Sequence, residues 1–353
     1  MKSLNITCVV GARPNFIKMA AIIHEIRRRP HLKAQLVHTG QHFSPEMSQS
    51  FFDELGLPEP DRNLEVSGGT QTEQMAEIMR RVEKVLLEEP RPDLLLVVGD
   101  VTSTVASALV AAKLGIKIAH VEAGLRSFDR RMPEELNRLV TDVLSDYLFA
   151  TEPSGVNNLL AEGVPQSKIF FTGNVMIDTL LRFRDKAAQS DILTRLGLEK
   201  RKYAVVTLHR PSNVDEPEQL SRLLTMLSKL SEAVKVVFPV HPRTLQRIES
   251  FGLPLHGLIL TPPQSYLDFL RLTSEARLIL TDSGGIQEET TILQVPCLTL
   301  RENTERPATI EFGTNQLVGA DPAKILPAAL SVLQTAFQKG KIPELWDGQA
   351  ATR

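Results

Sequence analysis

Short apolar runs rich in β-branched residues alternate along this chain with longer stretches whose apolar positions recur at helical spacing. Ile6–Val10 predicts a buried strand, followed by a Gly-Ala-Arg-Pro turn and a helix from Phe16 to Arg28. Ala34–His38 predicts a second strand, and Ser44–Leu55 and Gln71–Leu87 predict helices. Leu94–Val98 is a strongly apolar strand that runs into Gly99-Asp100 and a helix ending at Leu114. Ile116–His120 is the next strand and Glu134–Ser145 the next helix. This β-α-β-α rhythm belongs to a parallel, doubly wound sheet covered on both faces.

The rhythm restarts after Phe170–Leu180 (FFTGNVMIDTL) and a charged helical segment. Strands are predicted at Tyr203–Thr207, Val234–Pro239, Leu258–Thr261, Ala276–Thr281 and Val295–Leu300. The fold class is therefore α/β, with two Rossmann-like doubly wound parallel-sheet domains facing an interdomain cleft. The expected division is residues 1–171, a join over 172–200, a second domain over 201–338, and a small polar segment over 339–353. That last segment either frays or packs back on the first domain. The length of 353 residues suits two domains of ordinary size.

Composition narrows the function classes. Forty basic side chains against 42 acidic ones give a net charge of −2, which argues against a nucleic-acid partner. The two cysteines, Cys8 and Cys297, lie in apolar runs without metal-binding or disulfide spacing. No signal-peptide core and no apolar run of membrane-spanning length is present, which predicts a cytoplasmic protein without a membrane partner. Neither GxGxxG nor GxxxxGK[ST] occurs at the strand–helix turns, so NAD binding and P-loop chemistry lack their fingerprints.

The candidate chemistry lies where predicted strands end, the place ligands occupy in open α/β sheets. Gly11–Lys18 (GARPNFIK) opens a helix, where free N–H groups attract anions and Arg13 and Lys18 supply positive charge. Asp100 ends a strand and is either a cleft carboxylate or a helix cap, a task open to Thr102 or Ser103 as well. Glu122 lies just past an apolar run, where desolvation suits an acid or base; the structural alternative is a buried pair with Arg126. Glu134 stands in a first helical turn behind Pro133, where an acid also suits the helix dipole. His209 and His241 each close a strand of the second half beside an arginine, Arg210 and Arg243. In Thr281–Glu289 (TDSGGIQEE), Ser283, Gly284 and Gly285 form a close-approach anion site at a helix start, with Glu289 in reach of a ribose or sugar. Arg306, in the loop Glu302–Pro307, is a second phosphate contact.

In this order the motifs GARPNFIKMAAI, TGQH, VVGDVTSTVASALVAAKLGIKIAHVEAGLRS, PEELNRL, TGNVMIDTL, TLHRPSNVD, VFPVHP, LTDSGGIQEET, ENTERPATIEFGTNQLVG and DGQAATR resemble the non-hydrolysing UDP-N-acetylglucosamine 2-epimerases, nearly end to end. The resemblance implies the two-domain architecture of GT-B nucleotide-sugar glycosyltransferases, a homodimer, a UDP-sugar substrate, and no metal or nicotinamide cofactor. It implies reversible 2-epimerisation of UDP-N-acetylglucosamine to UDP-N-acetylmannosamine. UDP leaves by anti elimination and re-adds to a glycal, in supply of surface polysaccharide synthesis. The family's acid/base group maps onto Asp100, Glu122, Glu134 and His209. Its nucleotide contacts map onto Arg13, Lys18, Gln264, Phe269, Ser283, Gly284, Gly285, Glu289 and Arg306. The positions that would hold a second, activating substrate molecule retain Gln41, His42, Gln71, Arg210 and His241. Ser44, Thr70 and Pro211-Ser212-Asn213 depart from the pattern, which implies altered regulation. The alternatives are a 2-epimerase of a modified UDP-sugar, such as a diacetamido uronic acid, and a GT-B UDP-sugar glycosyltransferase.

Overall fold

The structure, a computed structural model, describes residues 3–40, 52–336 and 339–353. The chain divides into two compact units, Met1–Arg182 with Glu344–Arg353 and Phe183–Pro343. The first unit carries strands β1 (Leu4–Val10), β2 (Leu32–His38), β3 (Arg62–Asn63), β4 (Leu94–Val98), β5 (Lys117–Ala123), β6 (Tyr147–Ala150) and β7 (Ile169–Phe171). They form one sheet in the order β3-β2-β1-β4-β5-β6-β7, with every pair parallel. Helices α1 (Arg13–Arg27), α2 (Gln71–Leu87), α3 (Thr102–Lys113), α4 (Pro133–Leu144) and α5 (Pro153–Ala161) make the crossovers. The unit boundary falls within α6 (Val175–Ala187).

The second unit carries α7 (Ile192–Arg195), β8 (Tyr203–Thr207), α8 (Pro211–Val214), α9 (Pro217–Ser231), β9 (Lys235–Pro239), α10 (Pro242–Ser250), β10 (Leu258–Thr261), α11 (Tyr266–Ser274), β11 (Leu278–Thr281), α12 (Gly284–Leu293), β12 (Cys297–Thr299), α13 (Pro307–Glu311), β13 (Asn315–Leu317) and α14 (Pro322–Gln334). Its sheet runs β10-β9-β8-β11-β12-β13, again all parallel. Strands β4, β8 and β11 are apolar but for the threonines that close β8 and β11, and buried along nearly their whole length, because helices cover both faces of a parallel sheet.

Chain direction around each sheet decides where a ligand can enter. In the first sheet the strand order reverses between β1 and β4, and in the second between β8 and β11. Loops leaving the carboxyl ends of such a strand pair diverge to opposite faces and open a crevice. Gly11–Arg13 leaves β1, Gly99-Asp100 leaves β4, His209 follows β8, and Asp282-Ser283 follows β11. The candidate residues therefore gather at the reversal point of each sheet.

The short strands β3, β6, β7 and β13 were not legible as strands, being only two to four residues long. The strand expected at Ile116–His120 runs on to Ala123, because Ala123 still pairs with Ala150 after a register shift. The expected helix Ser44–Leu55 lies outside the described residues up to Phe51. The segment Glu344–Arg353 is tied into the first unit: buried Trp346 donates Nε1–H to the Thr151 carbonyl at 2.9 Å. The Asp178 carboxylate accepts the N–H groups of Ala350 and Ala351 at 3.1 and 2.7 Å. Among the described residues no helix is long and apolar enough to cross a membrane.

Candidate active site

In the first unit the turn after β1 is closed by Asn15. Its Oδ1 accepts the N–H groups of Gly11 and Ala12 at 3.3 and 3.0 Å, and its Nδ2 donates to the Val98 carbonyl at 2.8 Å. Two of the N–H groups expected to face an anion are thus already taken, and the turn is stitched to the end of β4. A Cβ on Gly11 would lie 2.1 Å from Ser103 Oγ, so only glycine fits there. Arg13 is half-buried at the start of α1; burial lowers its pKa, and the charge of Glu54 opposes that.

Lys18 projects from the second turn of α1 into the protein, 5% exposed, and forms an ion pair with Glu122. The structural alternative for Glu122 was a buried pair with Arg126. Instead Arg126 reaches across to Asp142 of α4 and Glu162, each at 2.7 Å. Glu122 is 3% exposed and has φ +75°, in the left-handed region that a residue with a Cβ rarely adopts. It occupies the register shift between β5 and β6, a bulge that re-aims one side chain while the strand continues. Gly99 lies beneath the pair: its φ is +65°, and a Cβ there would stand 3.1 Å from Lys18 Nζ and 3.7 Å from Glu122 Oε2.

Asp100 follows Gly99. It does not cap α3, whose N-cap is Val101 without a side-chain bond. Neither Thr102 nor Ser103 caps it; Ser103 Oγ instead pairs with Thr39 Oγ1 at 2.7 Å. The Asp100 carboxylate, partly exposed, forms an ion pair with buried Arg138, and Asn137 Nδ2 donates to the Asp100 carbonyl at 2.8 Å. Arg138 in turn donates to Glu135 at 2.7 Å, and Glu135 accepts the N–H groups of Ser127 and Phe128 at 2.9 and 3.0 Å. Burial would raise the Glu135 carboxyl; those N–H bonds and Arg138 hold it below its usual range instead. Glu134 is in the first turn of α4, one turn before Arg138 and so on the same side of the helix. The ends of β4 and β5 thus bring Asp100, Glu122 and Lys18 together around Gly99, and Glu134 lies on the side of α4 that carries Arg138.

In the second unit Thr207 and Thr281 are register partners on β8 and β11, so the next residues of both strands meet. Asp282, fully buried, accepts the N–H groups of His209 and Arg210 at 3.0 and 2.9 Å and Asn213 Nδ2 at 3.1 Å. His209 Nδ1 lies 2.8 Å from Asp282 Oδ1, while the imidazole is 44% exposed. Burial would raise the Asp282 carboxyl, but His209 and the N–H donors bring it below the ordinary value. A carboxylate that holds one ring nitrogen of a partly exposed histidine can orient it for acid/base work.

Ser283 is the N-cap of α12, with no side-chain cap bond, and Gly284 and Gly285 form its first turn. A Cβ on Gly284 would lie 2.6 Å from Glu305 Oε1 and 3.2 Å from Arg306 Nη1, so Arg306 borders the start of this ten-residue helix. Arg306 is buried and paired with Glu288 and Glu305, each at 2.9 Å, while Arg301 holds Glu305 at 2.7 Å. Glu289, 6% exposed, has its carboxyl pushed up to about 8, by burial first and the Glu288 charge second. Phe269 packs on the core around Tyr203 and Leu272, and Gln264 Nε2 donates to the Pro262 carbonyl at 2.6 Å.

Three of the positions read for a second substrate molecule are described. Gln71 is exposed at the start of α2, Arg210 is the N-cap of α8, and His241 is the N-cap of α10, its Nδ1 accepting from the Arg243 N–H at 3.3 Å. Gln41, His42 and Ser44 lie outside the described residues. Thr70 caps α2 reciprocally with Glu73: its Oγ1 accepts the Glu73 N–H at 3.2 Å and its own N–H donates back at 2.7 Å.

Sequence reasoning missed the residues that hold these groups: Arg138, Asp142, His120 and the role of Asp282. Asp282 stood inside a quoted motif, and the signal was an acid ending a buried apolar strand. For Arg138 no local signal exists, because its partner Asp100 is 38 residues away.

A family model described as UDP-N-acetylglucosamine 2-epimerase matches residues 24–353. A UDP-N-acetylglucosamine 2-epimerase of Methanococcus maripaludis is 43% identical over 93% of this chain and 91% of its own. A UDP-2,3-diacetamido-2,3-dideoxy-D-glucuronate 2-epimerase of Pseudomonas aeruginosa is 39% identical over 99% and 98%. The crystal structure of the Methanocaldococcus jannaschii UDP-GlcNAc 2-epimerase, in complex with UDP-GlcNAc and UDP, superposes with a TM-score of 0.92 at 41% identity, covering 99% of both chains.

Proposed function

The chain belongs to the UDP-N-acetylglucosamine 2-epimerase family, and on that premise we propose how its own residues carry the reaction. The enzyme is an isomerase that inverts carbon 2 of the sugar in UDP-N-acetylglucosamine, giving UDP-N-acetylmannosamine. A base takes the proton from carbon 2, the carbon–oxygen bond to UDP breaks with its electron pair on UDP, and a carbon 1–carbon 2 double bond forms. UDP then adds back to carbon 1 as a proton reaches the opposite face of carbon 2. The observation that carries this assignment is the gathering of Asp100 and Glu122 beside buried Lys18 and Arg138. Two carboxylates held in different environments suit one base and one acid. Glu134 and the Asp282-oriented His209 complete the proton-handling set.

The leaving diphosphate requires positive potential and N–H donors. Ser283, Gly284 and Gly285 offer the start of α12, with Arg306 at its edge, and Arg13 offers a guanidinium. Gln264, Phe269 and Glu289 are assigned to the nucleoside. Gln71, Arg210 and His241, with Gln41 and His42, are assigned to a second substrate molecule; Thr70, spent on capping α2, predicts weakened activation by substrate. A second copy of the chain is the partner, seated on the exposed apolar face of α4: Leu136, Val140 and Val143, with Phe128 nearby in sequence. The substrate's own supply places the enzyme in the cytoplasm, and its product suits transferases that build surface polysaccharide. The diacetamido uronic acid analogue is the second reading of the substrate, favoured by the 39% identity to the Pseudomonas enzyme.

Incubation with UDP-N-acetylglucosamine in D2O tests the proposal: deuterium enters carbon 2 and a UDP-linked manno product accumulates. With the diacetamido glucuronate as the sole labelled sugar, the second reading replaces the first; with neither labelled, the assignment falls.

A further inference from the structure

His120 lies on β5, is wholly buried, and has an oxygen at each ring nitrogen. Nδ1 is 2.6 Å from Asp142 Oδ1, and Nε2 is 2.9 Å from the Gly99 carbonyl oxygen. A carbonyl only accepts. Asp142 is the anion here: its other oxygen takes the Gly124 N–H at 3.1 Å and pairs with Arg126 at 2.7 Å. Burial would raise that carboxyl, and His120 and then Arg126 bring it down. The ring thus bridges α4 and the end of β4, with an oxygen at each nitrogen. Arg126 and Glu162 complete the cluster.

We infer that His120, held by Asp142, is a positioning residue that fixes the Gly99–Asp100 corner and thereby the Asp100 carboxylate. Gly99 is held twice from β5: its N–H donates to the Val121 carbonyl at 3.0 Å and its carbonyl accepts from His120. Its φ of +65° leaves few other ways to anchor the turn. Glu122, two residues beyond His120, bulges out of the same strand and stands by Gly99. One buried ring, held by a carboxylate, thus lies behind the corner that carries Asp100 and on the strand that carries Glu122.

The inference rests on Asp100 and Glu122 acting on carbon 2, and the test separates the two claims. Wild-type protein that takes up no deuterium from D2O sinks the epimerase assignment, not His120. H120Q removes the ring that holds the Gly99 carbonyl. We expect the kcat for label uptake to fall on the order of 100-fold, as a displaced reacting group does, with KM and UDP affinity nearly unchanged. D142N gives the same signature, and the double variant is no worse than either single one. A folded H120Q with wild-type kcat overturns the inference. If H120Q does not fold, D142N decides it.

Discussion

The Asp282 carboxylate holds His209 at two points, accepting its backbone N–H at 3.0 Å and standing 2.8 Å from ring Nδ1. The grip is possible because β8 and β11 are register neighbours and both end at the same level. It fixes the orientation of a ring that is 44% exposed, with Nδ1 turned to the carboxylate.

Asp282→Asn tests that grip. An amide in the same place offers one accepting oxygen where the carboxylate offers two, and the His209 ring loses the partner that orients it. We expect label uptake at carbon 2 to fall by about 100-fold or more, as for other orienting carboxylates. UDP affinity, measured by calorimetry, stays near wild type. Unchanged kcat in D282N removes Asp282 from the acid/base assembly.

Acid stability follows from three buried carboxylates. Burial would raise Asp142, Asp282 and Glu135, yet His120, His209 and backbone N–H groups hold all three below their ordinary values. A depressed group contributes stability that is present above its unfolded value of about 4 and is lost as pH falls through the folded one. In E289Q, which lacks the raised carboxyl of Glu289, the melting temperature is expected to stay level between pH 7 and 5 and to drop steeply below pH 4. A steady decline starting at pH 6 would assign acid unfolding to other groups.

Glu289 has the opposite sign. Its carboxyl is pushed up to about 8 in the folded chain, against about 4.3 unfolded. Its contribution is full below the unfolded value and is lost as pH rises towards 8. Glu289→Gln removes that dependence. The melting temperature of E289Q relative to wild type rises between pH 5 and 8 and levels off above, while UDP binding weakens. Parallel melting curves for the two proteins across that range refute the raised carboxyl.

Much of this site was legible in sequence because strand ends are legible: an apolar run stops at Asp100, at His209 and at Asp282. What the sequence does not display is which groups those residues meet. Glu122 pairs with Lys18, 104 positions away by numbering, and not with Arg126, which shares its motif. The pairing depends on the β1–β4–β5 neighbour relation and on the backbone bulge at Glu122, and neither leaves a local pattern. Strands as short as Arg62–Asn63, Ile169–Phe171 and Asn315–Leu317 lack the length for a period, so both edges of the first sheet and one edge of the second were lost to view.

The apolar face of α4 makes a prediction about assembly. Val143 is 78% exposed, and Leu136 and Val140 share its side of the helix at spacings of seven and three. Val143→Asp places a charge at the centre of that face. Light scattering on wild type should give twice the chain mass, and on V143D the mass of one chain with its circular dichroism unchanged. A dimeric V143D moves the interface elsewhere.

Glu122 and Lys18 lend themselves to a test that separates chemistry from stability. Both are buried, so removing either charge strands the other, at a cost of about 3–5 kcal/mol for a buried pair. Glu122→Gln is therefore expected to lower both the melting temperature and label uptake, and by itself it cannot tell an acid/base residue from an ion-pair partner. Lys18→Met strands the carboxylate in the same way. In the double variant K18M/E122Q no buried charge is stranded, and the apolar stem of methionine fills the lysine's place. Its melting temperature should recover most of what either single variant loses. Activity should not follow, because no carboxylate remains at the bulge to exchange a proton with carbon 2, and general acid–base contributions are about 10²–10⁴-fold. A double variant that regained both stability and deuterium uptake would make Glu122 a structural anion and leave the proton transfer to Asp100 and Glu134.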